Sequence, residues 1–154
     1  VLGHPRQLST SEVQIGGEAL AMSADSFVRL RNTLPDFSTS LHSAIQAIFY
    51  QVMVYGACNG THRARQRLAR WLLSMGDRSD GETMNLTHEF LAERLGVRRA
   101  TVSESAADLQ AEGLIEYTHG RVRIVDHSGL REASCECYDL VRSAYALLLP
   151  EKHA

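Results

Sequence analysis

From Asp36 to Met75 the chain holds no proline, and its apolar residues recur on a helical period. Leu41, Ile45, Ile48, Val52 and Tyr55 follow one another at spacings of four, three, four and three. That is the seam of an a/d heptad, the pattern by which two helices pair. The stretch predicts one very long helix, or two broken near Gly56 and Gly60. In the same register the seam reaches Asn59 and His62, polar residues of the kind that fix pairing register at core positions. Phe49 and Met53 lie off the seam and suit a helix covered on two sides, by a partner and by its own domain. The alternative is a lone amphipathic helix packed on its own domain.

Upstream, Val13-Gln14-Ile15 alternates and stops at Gly16-Gly17, which reads as a loop and one strand. Ser23 ahead of Asp25, Phe27, Val28 and Leu30 predicts an N-capped short helix that closes near Leu34-Pro35. Downstream, Asp77 to Glu82 is a polar connection with turn chemistry, and Gly129 to Leu149 is a final helical stretch. These breaks divide the chain into units at residues 1–35, 36–76 and 77–154.

The third unit carries the most specific pattern. Two short helices joined through a glycine make a helix-turn-helix only if their inner faces are apolar and the residue at the crossing is small. Leu91, Leu95, Val97, Val102 and Leu109 supply those faces. Ala92 stands four positions before Gly96, where a larger side chain would collide, and Val102 six after it, where a β-branched residue fills the gap. Thr87 is placed to cap the first helix, with Glu89 in its first turn. Beyond Gly113-Leu114-Ile115, the runs on either side of His119-Gly120 alternate apolar and polar residues, which predicts a β-hairpin with Arg121 and Arg123 on its exposed face. The fold class expected is mainly α with a small β component: a long helix followed by a winged helix-turn-helix domain.

Composition narrows this picture without supplying a function. A net charge of −2 from 16 basic and 18 acidic residues does not advertise nucleic acid, so a DNA-binding reading must rest on the local motif. Locally the balance is unfavourable: Leu86 to Asp126 holds five arginines against seven carboxylates. A basic surface is therefore expected to draw on Arg63, Arg65, Arg67, Arg70 and Arg78. No apolar stretch approaches a membrane span, and no signal peptide is visible, so a cytoplasmic protein with no membrane partner is expected. The chain opens at Val1, mid-domain in character, as a fragment would.

The motifs together resemble the Crp/Fnr transcription regulators. Ala64 to Leu73 resembles the junction of dimer helix and DNA-binding domain. Leu86 to Ala92 with Leu95 to Val102 resembles the helix-turn-helix, and Gly113-Leu114-Ile115 with His119-Gly120-Arg121 the wing. Val1-Leu2-Gly3 and the run from Val13 to Leu20 resemble, less specifically, the end of the family's cyclic-nucleotide-binding-like β-roll, and Cys58 to His62 and Cys135 to Tyr138 resemble elements of one subgroup. The resemblance implies that residues 1–35 are a remnant of a sensor domain and that residues 36–76 dimerise through Leu41, Ile45, Ile48, Val52 and Tyr55. It implies a homodimer on pseudo-palindromic double-stranded DNA, with RNA polymerase as a further partner. It implies phosphate contacts from Thr87 and Arg121 and base reading from Arg99, with Arg98, Thr101, Ser103 and Glu104 as further DNA-binding positions alongside. Two departures stand out: Ala100 where many relatives place a base-reading Glu, and Glu104 where they place an Arg that points at DNA.

Three other classes bear on the same residues. A metal or redox sensor would use Cys58, His62, Cys135 and Cys137. One i,i+4 pair supplies only two ligands, and residues two apart point to different sides of a helix, so no metal or cofactor is expected and the cysteines are read as buried structural residues. An enzyme lacks a visible nucleophile with its base, a phosphate-cradling loop or paired carboxylates. The alternative to a regulator is a dimeric adaptor that has kept the fold with weak or no DNA binding, which Ala100, Glu104 and the local charge favour.

Overall fold

The computed structural model describes residues 10–13, 16–79 and 83–149. Val1-Leu2-Gly3, Gln14-Ile15 and the Asp80 to Glu82 part of the polar connection lie outside them; Thr10 to Val13 and Gly16 to Met22 form no helix or strand.

Helix α1 spans Ala24–Thr33, and the Ser23 hydroxyl oxygen caps it by accepting from the Ser26 amide at 3.1 Å, as its sequence predicts. Helix α2, Pro35–Thr61, opens on a proline, whose missing N–H costs nothing in a first turn. Phe27 and Phe37 seat α1 on it edge to face, with ring centroids 5.6 Å apart. The long helix does not continue to Met75. It stops at Thr61, one residue beyond Gly60, and α3 restarts at Ala64 and runs to Gly76. His62 and Arg63 take extended backbone between them, and the Gln66 side chain caps the Arg63 amide at 3.2 Å.

Strand β1 is Met84–Asn85, followed by α4 (His88–Leu95), α5 (Arg99–Ala111), β2 (Ile115–Thr118) and β3 (Arg121–Ile124). The sheet order is β1-β3-β2, antiparallel throughout, with Met84 opposite Val122 and Glu116 opposite Arg123. The final stretch is two helices, α6 (His127–Ala133) and α7 (Cys137–Leu148), separated by Ser134 to Glu136. Asp126 caps α6 through the Gly129 amide.

One apolar cluster joins Leu68, Leu72 and Leu73 of α3 to Leu91, Leu95, Val102, Leu109, Ile115, Val122, Leu130 and Tyr138. The boundary expected at residue 77 cuts through this cluster. α3 is part of the winged unit because its Leu68, Trp71 and Leu72 pack in the same core as α4 and α5, and Trp71 meets Phe90 edge to face at 5.9 Å. No helix among the described residues is long and apolar enough to cross a membrane.

Candidate nucleic-acid interface

α4 begins where Thr87, extended at φ −77° and ψ 155°, accepts from the Phe90 amide at 3.2 Å. It ends at Gly96, whose φ of 62° and ψ of 40° are left-handed and natural to a residue without Cβ. The Val97 amide then returns to the Ala92 carbonyl at 3.0 Å, which turns the chain into α5. Val102, Ser105, Ala106 and Leu109 form the buried face of α5. Arg98, Arg99, Ala100 and Glu104 are exposed, and Thr101 and Ser103 are half-buried. Arg98 offers no side-chain cap, so the first amides of α5 keep free donors beside two guanidinium groups.

The wing is tied to the start of α4. The Leu86 amide donates to the Gly120 carbonyl at 2.7 Å, and the Thr87 methyl lies 3.6 Å from where a Cβ on Gly120 would stand. Thr87 and the neighbouring Arg121 therefore border one stretch of surface, where the Thr87 hydroxyl proton is still available while its oxygen caps α4. His88 is the residue sequence reasoning missed. Its Nδ1 lies 2.8 Å from Ser103 Oγ, and its ring stacks on Tyr117 of β2, whose hydroxyl donates to the Leu86 carbonyl. Burial, then the Arg99 charge, holds the His88 imidazole below its ordinary pKa of 6.5. Ser103 also donates to the Arg99 carbonyl at 3.1 Å, so its hydroxyl positions α5 from within.

The arginines do not all lie where expected. Arg67 and Arg70 are buried, 8% and 3% exposed, and do not add to a basic surface. On α3 they lie one turn apart on the side toward α2. There Arg67 donates to the Leu95 carbonyl at 3.0 Å and to Asn59, while Arg70 sits 3.8 Å over the Tyr55 ring. Arg65 is bound to Glu112 at 2.5 Å, and Arg78 to the Ser74 carbonyl. On the wing, Arg123 is paired with Glu116 at 2.9 Å. Arg99 lies 3.8 Å from Glu89, with both side chains mostly exposed.

On α2, Ile45, Ile48 and Val52 of the expected seam are 37%, 55% and 62% exposed, with Phe49 and Met53 beside them at 62% and 50%. Leu41 is half-buried. Tyr55 is half-buried, with its hydroxyl 3.2 Å from Ser74 Oγ and its ring beneath Arg70. Asn59, exposed, accepts from Arg67 at 3.3 Å, and half-buried His62 lies 3.7 Å from the Cys137 thiol. All three cysteines are free and buried. Cys135 and Cys137 do not diverge on one helix as their spacing suggests, because Cys135 precedes α7 and Cys137 begins it. Burial, then the Cys58 thiol, pushes the Cys135 thiol up to about 12.

Two helices crossing through a left-handed glycine, followed by a two-stranded wing, define a winged helix-turn-helix. Residues 66–133 match the family model of the Crp-like helix-turn-helix domain. The transcriptional regulator LdrP of Thermus thermophilus is 36% identical over 90 residues, 54% of this chain and 46% of LdrP. The chain thus spans about half the length of the curated relatives it matches. A solved CRP-family transcriptional regulator, also of Thermus thermophilus, is 28% identical, with a TM-score of 0.52 over 74% of this chain and 56% of that one. A structure described as a Crp/Fnr-family regulator from Eubacterium rectale shares the fold, at 21% identity and a TM-score of 0.54 over 71% and 51% of the two chains. The resemblance to the Crp/Fnr regulators therefore holds, and residues 66–133 are a Crp-like helix-turn-helix domain.

Proposed function

We propose that this chain is the DNA-reading and dimerising part of a transcription regulator of the Crp/Fnr type. The observation that carries the reading is the start of α5, where Arg98, Arg99 and Ala100 are exposed and uncapped amides stand beside them, while Val102, Ser105, Ala106 and Leu109 anchor the opposite face. Arg99 reads base edges in the major groove, since its planar fork matches guanine O6 and N7 together. Thr87 and Arg121 hold the phosphate backbone, and Thr101 and Glu104 flank the groove. Residues 1–35 belong to the sensor side, α2 to the dimer and the remainder to the DNA.

The apolar stripe of Ile45, Ile48, Phe49, Val52 and Met53 supports pairing, because a solvated run of this kind on one helix face marks an interface. A two-fold pair places its recognition helices about one turn, roughly 34 Å, apart, which matches a pseudo-palindromic site. RNA polymerase is the further partner such a regulator would meet in the cytoplasm.

The burial of Arg67 and Arg70 favours a second reading, a dimeric adaptor with weak or no DNA binding, because it removes two of the arginines expected to offset the carboxylates of the winged unit. Fluorescence anisotropy with duplexes selected from a random library, and with scrambled duplexes, separates the two. For the regulator, Arg99→Ala costs about 1–3 kcal/mol on the selected site and less on scrambled DNA. Absence of binding to either duplex at low salt establishes the adaptor instead.

A further inference from the structure

The three cysteines and His62 lie together, apart from the main core. Cys58 and His62 stand one turn apart at the end of α2, and Cys135 and Cys137 come from the α6–α7 link and the first residue of α7. Ser134 is extended and Glu136 already takes helical backbone, at φ −54° and ψ −19°, so Cys135 lies before the helix that Cys137 begins and the two are not positions of one helical face. Cys58 Sγ is 3.5 Å from Cys135 Sγ, and Cys137 Sγ is 3.7 Å from His62 Nδ1. The four ligand atoms all lie within 4.8 Å of one another. Cys58, Cys135 and Cys137 are 0%, 3% and 5% exposed, and Val54 is the one partly buried hydrophobic packed against them among the described residues.

Buried cysteines usually behave as small apolar residues among other apolar residues. These instead face one another and an imidazole. Nε2 of that imidazole is already engaged, 3.2 Å from the Glu136 carboxylate, which leaves Nδ1 directed at the thiols. A carboxylate on the far nitrogen is the outer contact that orients a metal-bound histidine. The Thr61 hydroxyl lies 3.2 Å from Nδ1 but donates its proton to the Ala57 carbonyl at 2.9 Å, so the Nδ1 lone pair stays open.

We propose that Cys58, His62, Cys135 and Cys137 bind a single zinc ion in a closed site of three sulfurs and one nitrogen that staples the end of α2 to the start of α7. Three thiolates and an imidazole are soft and borderline ligands that select zinc over magnesium or calcium. Four protein ligands fill a tetrahedron and leave no open position, so the site is structural. Zinc–sulfur bonds of about 2.3 Å give an edge of roughly 3.7 Å between ligands, close to the separations already present. The inference stands independently of DNA binding, since its ligands come from the end of α2 and the start of α7, outside α4, α5 and the wing.

The test is elemental analysis of the whole chain, purified without chelator from zinc-supplemented cells. About one zinc per chain is expected, with three sulfurs and one nitrogen in the X-ray absorption first shell. Cys58→Ser and Cys135→Ser are each expected to lose the metal. Glu136→Gln, an exposed change, is expected to fold normally and to weaken zinc affinity by roughly 10-fold or more in competition with a chromogenic chelator. Cobalt exchanged into the wild-type chain is expected to show the visible bands of a tetrahedral thiolate site, a readout that needs no variant. Under about 0.1 zinc per chain after zinc addition overturns the proposal. So does iron with sulfide in place of zinc, a Cys58–Cys135 disulfide found by mass, or full zinc retention in Cys135→Ser.

Discussion

The imidazole of His88 stacks on the phenol of Tyr117, with ring centroids 4.5 Å apart and ring planes 29° apart. Through this pair the first residue of α4 touches the wing, and through Ser103 it touches α5, so one side chain ties together the three elements that would face DNA. Protonation strains that arrangement, because burial and Arg99 both disfavour the imidazolium. The folded pKa lies below the unfolded one, so at pH values under about 6.5 the unfolded chain takes up more protons. Stability is accordingly complete above that pH and is lost as pH falls from it toward the folded pKa. Urea unfolding at several pH values is expected to show this decline in the wild type and a shallower one in His88→Phe. Equal slopes in the two proteins remove His88 from the account.

The wing arginines differ in their freedom. Arg123 is engaged by Glu116 across the strands, whereas Arg121 is exposed at the turn near Thr87. Arg121→Ala is expected to weaken binding to all duplexes alike and to lower the slope of log affinity against log salt by about one. Arg123→Ala should do less on both counts. Salt titrations in which Arg123→Ala has the larger effect reverse this assignment.

For the helix pair, the exposed stripe and the heptad seam make different forecasts at Tyr55. Ile48→Asp combined with Val52→Asp should give monomers by sedimentation, because both side chains are more than half exposed on α2. Tyr55→Phe should leave the oligomer intact and cost about 1 kcal/mol of stability, from the lost contact with Ser74. A Tyr55→Phe chain that dissociates restores Tyr55 to the interface.

Leu109 is fully buried on α5 beneath the helix-turn-helix. Leu109→Ala is expected to destabilise the chain by about 2–5 kcal/mol, measured as a fall in urea midpoint with an unchanged slope. A loss under about 1 kcal/mol would mean that α5 is not anchored by this cluster.

Most of the winged unit was legible because its signals are local. The Thr87 cap, the Gly96 turn, the apolar set of Val102 and Leu109 and the His119-Gly120 hairpin each follow from a few neighbouring residues. β1 was not, since Met84 and Asn85 are strand only by pairing with Val122 and Arg121. Charge counting misplaced Arg67 and Arg70, because nothing in their identity shows that a carbonyl and an aromatic ring await them. The thiol cluster was hidden for a similar reason. Spacing along one helix made Cys135 and Cys137 diverge, whereas Cys135 precedes α7 and both meet a helix end 75 to 77 residues earlier.

If α2 pairs and α5 reads DNA as proposed, the break between Thr61 and Ala64 sets what kind of joint links the two. A continuous helix would transmit orientation through its backbone ladder, but here that ladder is interrupted. The angle rests instead on side chains, among them Arg67 against Asn59, Arg70 against Tyr55 and the Cys58–Cys135 contact that joins the end of α2 to the start of α7. On the proposed reading, Arg99 lies beyond this joint from α2, so a rotation at the joint would displace it relative to the pairing helix. In a two-fold pair both copies would turn together, and the distance between half-sites becomes the quantity that any rearrangement at this joint adjusts.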